Sequence, residues 1–398
     1  MQFYKRRADG VAVDGLSAFA NVRIANGHID DAVIVMASAA DLADRVYGQN
    51  VRESLMYHVG NGFALASAGR TQQAATTMQA TLQRWQDHKL PFDRTYATLL
   101  LNLAATKNKL GLSDDALRLI REGLKVRRLV YGRPHLKIAD ALQSLGVVLG
   151  SRGDFAEAAA ALEESSAIYA KIFGAAHPQN TSALNALGGL ETKRQRYQAA
   201  LVHLQRAAGL CADKALMSES TCINTWLYLV DTDLRLQRVD AADSASKNGL
   251  RASHDYYGTT HGQYALALGR RAAVEIARHQ PAEALVLLDD GLRILVDRAE
   301  DASLNARSVY SLRAAALHAS KRGAEALVSL DRAIEIVQRT APNDDARRLG
   351  LLVLRADILS QLDRGDEARI VARSALALAE KRSVLDPGQW QRIEALAR

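Results

Sequence analysis

The chain has 398 residues, of which 48% are hydrophobic, 24% charged and only 5% aromatic. This balance excludes a disordered segment, and no run approaches the ~18 consecutive apolar residues of a membrane-crossing helix. A net charge of +7 over so long a surface is too dilute to mark a nucleic-acid binder, and the length exceeds the roughly 250–300 residues one core can serve.

The N-terminus, MQFYKRRADG, has basic residues with no apolar run behind them, so it does not read as a signal peptide. Residues 1–8 fall in register with the end of a second helix, so they are expected to close a truncated preceding helix. From about residue 9 a period of 42 takes over. Ala32, Ala74, Ala116, Ala158, Ala200, Ala242, Ala284, Ala326 and Ala368 recur without an insertion. Twelve residues before each stands Ala20, Gly62, Ala104, Gly146, Gly188, Val230, Ala272, Ala314 or Ala356. Seven residues after each stands Ala39, Thr81, Gly123, Ser165, Ala207, Gly249, Gly291, Ala333 or Ala375. Only Val230 and Thr81 are larger than serine. A fixed period of this length means a stacked array.

The segment from Pro134 to Ala176 shows what one period contains. Leu142, Leu145 and Leu149 keep the 3.6-residue spacing, predicting a first helix from about Lys137 to Leu149. Gly150, Ser151 and Gly153 stop it, and Asp154 is placed to cap a second helix ending near Ile172. His177-Pro178 then open the next helix. Pro91, Pro134, Pro178, Pro342 and Pro387 all fall near repeat junctions, and Pro281 falls at the start of a second helix. Four junctions carry an aromatic-glycine pair, at Tyr47, Tyr131, Phe173 and Tyr257. Small residues are expected where helices cross, because larger ones would wedge them apart at roughly 1–3 kcal/mol each. Cys211 and Cys222 flank one junction, so a disulfide between them is sterically conceivable, but they are expected as free thiols in a reducing compartment, hence a cytoplasmic location.

The internal spacing resembles the tetratricopeptide repeat. Leu142-x-x-Leu145-Gly146-x-x-Leu149 followed by Ala158-x-x-x-Leu162 matches its pattern of large-x-x-Leu-Gly, then Ala-x-x-x-large. Leu184-x-x-Leu187-Gly188 and Trp226-x-x-Leu229 repeat the opening half. The long period, with Gly174-Ala175-Ala176-His177-Pro178 and Leu184-Asn185, is similar to the kinesin-light-chain-type subclass; HEAT-like pairs are the alternative. The resemblance implies an all-α, right-handed superhelical solenoid of nine antiparallel helix pairs, with repeats starting near 9, 51, 93, 135, 177, 219, 261, 303 and 345. Residues 387–398 would form a C-terminal capping helix. Arg271, Arg313 and Arg355 replace the leucine expected before the small residue, which puts the geometry of the last three repeats in question.

No phosphate-binding glycine loop, His-Glu-x-x-His or Cys-x-x-Cys occurs, so no catalysis, cofactor or metal is expected. The scattered histidines suit turns and caps. The basic run Arg118, Arg121, Lys125, Arg127, Arg128, Arg133 and Lys137, relieved only by Glu122, fits the C-terminal end of a helix better than a nucleic-acid site. Binding is expected instead from first-helix positions beside the small residues, lining a concave groove: Asn102, Asn108, Lys109, Gln143, Asn185, Lys193, Asn224, Tyr228, Asp231 and Arg235. In the resembled family the first-helix asparagine holds a peptide backbone, a role that carries to Asn185 and Asn102. The expected partner is a protein or an extended peptide of micromolar affinity, about −8 kcal/mol, with no membrane and no nucleic acid. The alternative is a C-terminal sensor region of a larger bacterial Ser/Thr kinase or winged-helix regulator.

Overall fold

All nine alanines of the ladder are buried, none more than 2% exposed, and every position of the two companion registers is buried with them. The computed structural model describes residues 2–25, 28–132, 134–211, 220–298, 300–340, 345–382 and 387–398. Arg133, Pro342 and Leu385 lie outside the described residues. Among those described there is no strand.

The chain divides into two units. Residues 1–175 hold α1 (Gln2–Ala25), α2 (Ile29–Tyr47), α3 (Arg52–Ser67), α4 (Thr71–Asp87), α5 (Arg94–Lys109), α6 (Ser113–Tyr131), α7 (Leu136–Arg152) and α8 (Phe155–Phe173). Residues 176–398 hold α9 (Thr181–Lys193), α10 (Tyr197–Leu210), α11 (Ser220–Arg235), α12 (Val239–Tyr257), α13 (Gly262–Ala277) and α14 (Pro281–Asp297). They continue with α15 (Leu304–Ala319), α16 (Gly323–Thr340), α17 (Asp345–Gln361), α18 (Gly365–Arg382) and α19 (Pro387–Ala397). Odd and even helices are the first and second members of successive pairs. Within each unit, first helices touch the next first helices, and each inner second helix also packs on the first helix that follows it. In each unit the first helices therefore form a layer, with one face covered by second helices and the other open.

Glycine makes the crossings possible. A β-carbon on Gly62 would lie 2.5 Å from Met78 Cγ, and one on Gly146 2.5 Å from Leu162 Cγ. The later register does the same from the partner helix: Gly123 faces Leu101, and Gly249 faces Trp226. The tight turn inside each pair repeats as well. Gly69, Gly111 and Gly153 have positive φ there, and Gln195, Gln237, His279, Lys321 and Asp363 keep the same left-handed conformation 42 residues apart. Repeat geometry imposes it even where glycine is lacking.

Junction chemistry differs in part from expectation. Asp154 stands at the N-cap of α8 but makes no capping bond; its carboxylate pairs with Arg152 at 3.1 Å. Pro178–Asn180 form a 3₁₀ turn ahead of α9. The junction histidines do cap: His135 and His261 each accept a backbone N–H through Nδ1, at 3.1 Å. Tyr131 stacks on His135 and Tyr257 on His261, which gives the periodic aromatic a purpose.

Two expectations are overturned. Residues 2–8 do not end a preceding helix, because α1 runs unbroken from Gln2 to Ala25. Nor are the cysteines free: Cys211, at the C-cap of α10, is bridged to Cys222 in the first turn of α11, with Cα atoms 5.7 Å apart. Antiparallel packing of these two helices brings both ends to one junction, and the inference from free thiols to a reducing compartment falls with the thiols.

The three arginines in leucine positions leave the helices intact and reach back to the preceding second helix. Arg271 pairs with Asp243, Arg313 with Asp289 at 2.7 Å, and Arg355 with Asp331. Burial alone would raise the Asp243 carboxyl; hydrogen bonds from Lys247 and Arg271 and the charges of Arg271 and Arg278 outweigh it and hold the pKa at about 2. Asp233 is buried with Arg238 at 3.4 Å, and burial pushes its carboxyl up against the pull of that charge. A depressed folded pKa contributes stability above the unfolded value and loses it as pH falls; a raised one does the reverse. Asp243→Asn is therefore expected to destabilise by roughly 2 kcal/mol at neutral pH, with the deficit closing between about pH 4 and 2. Asp233→Asn should stabilise at neutral pH and lose that gain in acid. Urea melts at both ends of the range check the signs, and two variants of equal sign would contradict the assignment.

Candidate functional site

The open face of the first helices within each unit is the candidate site, and α11 of the second unit shows it most clearly. Asn224, Tyr228, Asp231 and Arg235 follow a 4-3-4 spacing that puts them on one stripe of the helix. Asn224 and Arg235 are exposed, and Tyr228 is 43% exposed. Asp231 joins this stripe to α13 through Arg270 Nε at 2.8 Å, and Arg270 Nη1 donates to Ser308 Oγ of α15 at 3.1 Å. Burial pushes the Tyr228 hydroxyl above its usual pKa; the Asp231 charge adds to this and Arg270 opposes it. The ring thus offers an apolar surface, while its neutral hydroxyl keeps a donor to the physiological limit and beyond.

In the first unit the same register gives Asn102 and Lys109 on α5 and Ser144 and Val147 on α7. Asn102 is half-buried, and Lys109, Ser144 and Val147 are exposed. Met56 and Phe63 of α3 continue it, 42% and 45% exposed, so this stripe is more apolar than that of α11. Lys193 of α9 is exposed.

Three expected site residues stand elsewhere. Asn185 is buried, its Nδ2 donating to the Thr221 carbonyl and its Oδ1 accepting from Thr225, both at 2.9 Å. It links α9 to α11 instead of facing a ligand, because it lies on the flank one residue before the open stripe. Gln143 shares that flank register and is half-buried. Asn108 turns toward the end of its helix, where Oδ1 accepts from Ser113 Oγ at 3.4 Å. Arg270 and Ser308 were missed as site residues, although adding 42 to Tyr228 points directly at Arg270.

The basic run is largely neutralised across the repeat. Arg121 pairs with Glu157 at 2.8 Å and Arg128 with Glu164 at 2.7 Å, each 36 residues on, so Glu122 is not their only relief. Arg127 is buried, and its guanidinium donates to the Lys137 carbonyl. Among the described residues no group of three or more His, Cys, Asp or Glu side chains is placed to hold a metal ion.

The tetratricopeptide repeat family pattern matches residues 95–171, which span α5 to α8. Residues 95–171 therefore carry tetratricopeptide repeats. Among curated proteins none matches this sequence. Among solved structures, a Rap protein complexed with competence and sporulation factor superposes with a TM-score of 0.64 at 12% identity, over 94% of this chain and 98% of that one. The apo form of the quorum sensor NprR from B. thuringiensis gives 0.60 at 14% identity, over 82% and 88%. Apo RapI gives 0.60 at 10% identity, over 94% and 100%. At these identities the tetratricopeptide repeat fold is what is shared.

Proposed function

We propose that this protein is a non-catalytic interaction scaffold that holds an extended polypeptide segment on the open face of its first helices. The observation that carries the reading is the α11 stripe: an exposed asparagine, a half-exposed tyrosine and an exposed arginine in line, braced beneath by Asp231 and Arg270. An amide satisfies a peptide backbone whatever its sequence, the ring covers an apolar side chain, and Arg235 selects an acidic one. Bracing from the next helix fixes these groups before a ligand arrives, which lowers the cost of ordering them. The likeness to a Rap protein solved with competence and sporulation factor, and to a protein named a quorum sensor, supports recognition over catalysis. The regulator alternative loses the register observation that motivated it, since α1 is continuous.

The test is selection of a random-peptide library on the full chain, followed by fluorescence anisotropy of recovered peptides. Affinities should be micromolar, and Tyr228→Ala with Arg235→Ala should weaken them at least about tenfold, or 1.4 kcal/mol. Ile34→Ser, on the exposed side of α2, should leave them unchanged. Peptides indifferent to the double variant would overturn the reading.

A further inference from the structure

The joint between α10 and α11, where a second helix meets the first helix that follows it, carries a covalent bond at positions where other joints rely on packing. Two periods on from Cys211 and Cys222 stand Leu295 and Ala306, which belong to one apolar cluster of the second unit. Three periods before them, in the first unit, stand Trp85 and Tyr96, with ring centroids 5.9 Å apart. The α10–α11 joint has less to pack. α10 has 14 residues, against 17 to 19 in the other second helices. Ala215-Leu216 stand where other repeats have Tyr131-Gly132 or Tyr257-Gly258, and the sequence from Cys211 to Cys222 holds no aromatic residue. The joint therefore lacks a ring to stack on the start of the next helix, as Tyr257 does on His261. The bridge stands in for that apolar contact, and it differs from packing in that a dithiol can remove it.

What this joint positions is the start of α11. Asn224, the first residue of the open stripe, stands two residues beyond Cys222. Thr221 and Thr225, on either side of Cys222, hold Asn185 of α9 at 2.9 Å. Ile223 and Leu227 pack with Ala252 of α12 and Ala267 of α13, so the body of α11 stays seated without the bridge. Its loss therefore acts on the last turn of α10 and the first turn of α11, where Asn224 is presented. Both cysteines are buried, and a thiolate must reach a sulfur to break the bond, so reduction waits for the joint to open. A ligand held by Asn224 resists that opening. Ligand binding and reduction thus oppose each other, each by the same factor.

We propose that the Cys211–Cys222 bridge is a redox control on the open stripe: oxidised, it fixes the start of α11 for a ligand, and reduced, it releases that turn and weakens binding. The step is thiol–disulfide exchange with a dithiol. One thiolate of the dithiol attacks a bridge sulfur to give a mixed disulfide; its second thiol then closes a cyclic disulfide. The dithiol gives up two electrons and two protons, and Cys211 and Cys222 become thiols. The ligand half of the proposal rests on the function proposed for the stripe, whereas hydrogen exchange reads the joint with no ligand present. Exchange in the last turn of α10 and at residues 224–227 should be at least about tenfold faster after dithiothreitol, with α13 and α14 unchanged. Peptides recovered from the library should bind the reduced chain roughly three- to tenfold more weakly, the loss of about one hydrogen bond. A variant with Cys211→Ala and Cys222→Ala should match the reduced chain and ignore the dithiol. Equal exchange in both states, peptides that bind both equally, or a bridge that excess dithiothreitol leaves intact in the folded chain would overturn the proposal. If the library yields no peptide, the function proposed for the stripe fails, and exchange alone decides whether the bridge holds α11.

Discussion

Gly188→Val is expected to destabilise the second unit by about 2–3 kcal/mol, while Gly189→Ala, one residue along the same helix, should stabilise it by about 0.5–1 kcal/mol. The opposite signs follow from what each position meets. A β-carbon on Gly188 would lie 2.6 Å from Leu204 Cγ and 2.7 Å from Cδ2, and Leu204 is wholly buried, so it cannot swing into solvent. Relief requires α10 to move away from α9, at the crossing where Ala200 and Ala207 also pack. Gly189 has nothing within 4 Å, so alanine there only gains helix propensity. For a unit of this size each kcal/mol shifts the melting temperature by roughly 2–4 °C, well within the reach of circular dichroism. Adding Leu204→Ala to Gly188→Val separates clash from propensity: if the crossing is the cause, the double variant loses less than the two single losses summed. Equal signs at 188 and 189 would mean that the small-residue register is not where these helices meet.

That register was legible in the sequence because close approach of backbones has few chemical solutions, and a repeat states the same solution nine times. The open stripe was legible only in part. Side chains there are not constrained by packing, so Asn224, Tyr228, Asp231 and Arg235 could be placed by helical spacing, but their partner Arg270 emerges only when the period is applied to the stripe itself. Asn185 misled for a related reason. A rotation of one residue separates a side chain on the open face from one against the next helix, and family resemblance supplies residue identity more readily than that rotation. The Arg121–Glu157 and Arg128–Glu164 pairs stand six residues short of a full period, a spacing that only the stacking of α6 beside α8 reveals. The disulfide was legible as a possibility, since its partners flank one junction, but sequence alone could not choose it over free thiols; the packing of α10 against α11 decides it.

Removing α19 by truncation after Arg382 is expected to lower the stability of the C-terminal pair and to promote self-association. Ile393 is wholly buried against Leu349, Val353, Ala372, Ala375 and Ala379, with Trp390 and Leu396 packed beside it. Truncation would return that face to water. Two polar contacts also hold the helix: Arg392 Nε meets Asp357 at 2.7 Å, and Arg373 Nε donates to the Ala397 carbonyl at 3.1 Å. The apolar contact should dominate. Burial pushes the Asp357 carboxyl up even though Arg392 and His318 pull it down, so the ion pair offsets a desolvation cost more than it adds stability. Ile393→Ala should therefore cost about 2–4 kcal/mol, and Arg392→Ala clearly less. In a linear array each pair leans on its neighbours, so the loss should stay local. Hydrogen exchange should accelerate in α17 and α18 while α11 to α14 keep their protection. A truncated chain with the wild-type melt, wild-type exchange and wild-type oligomeric state would show that α19 does not cap the array.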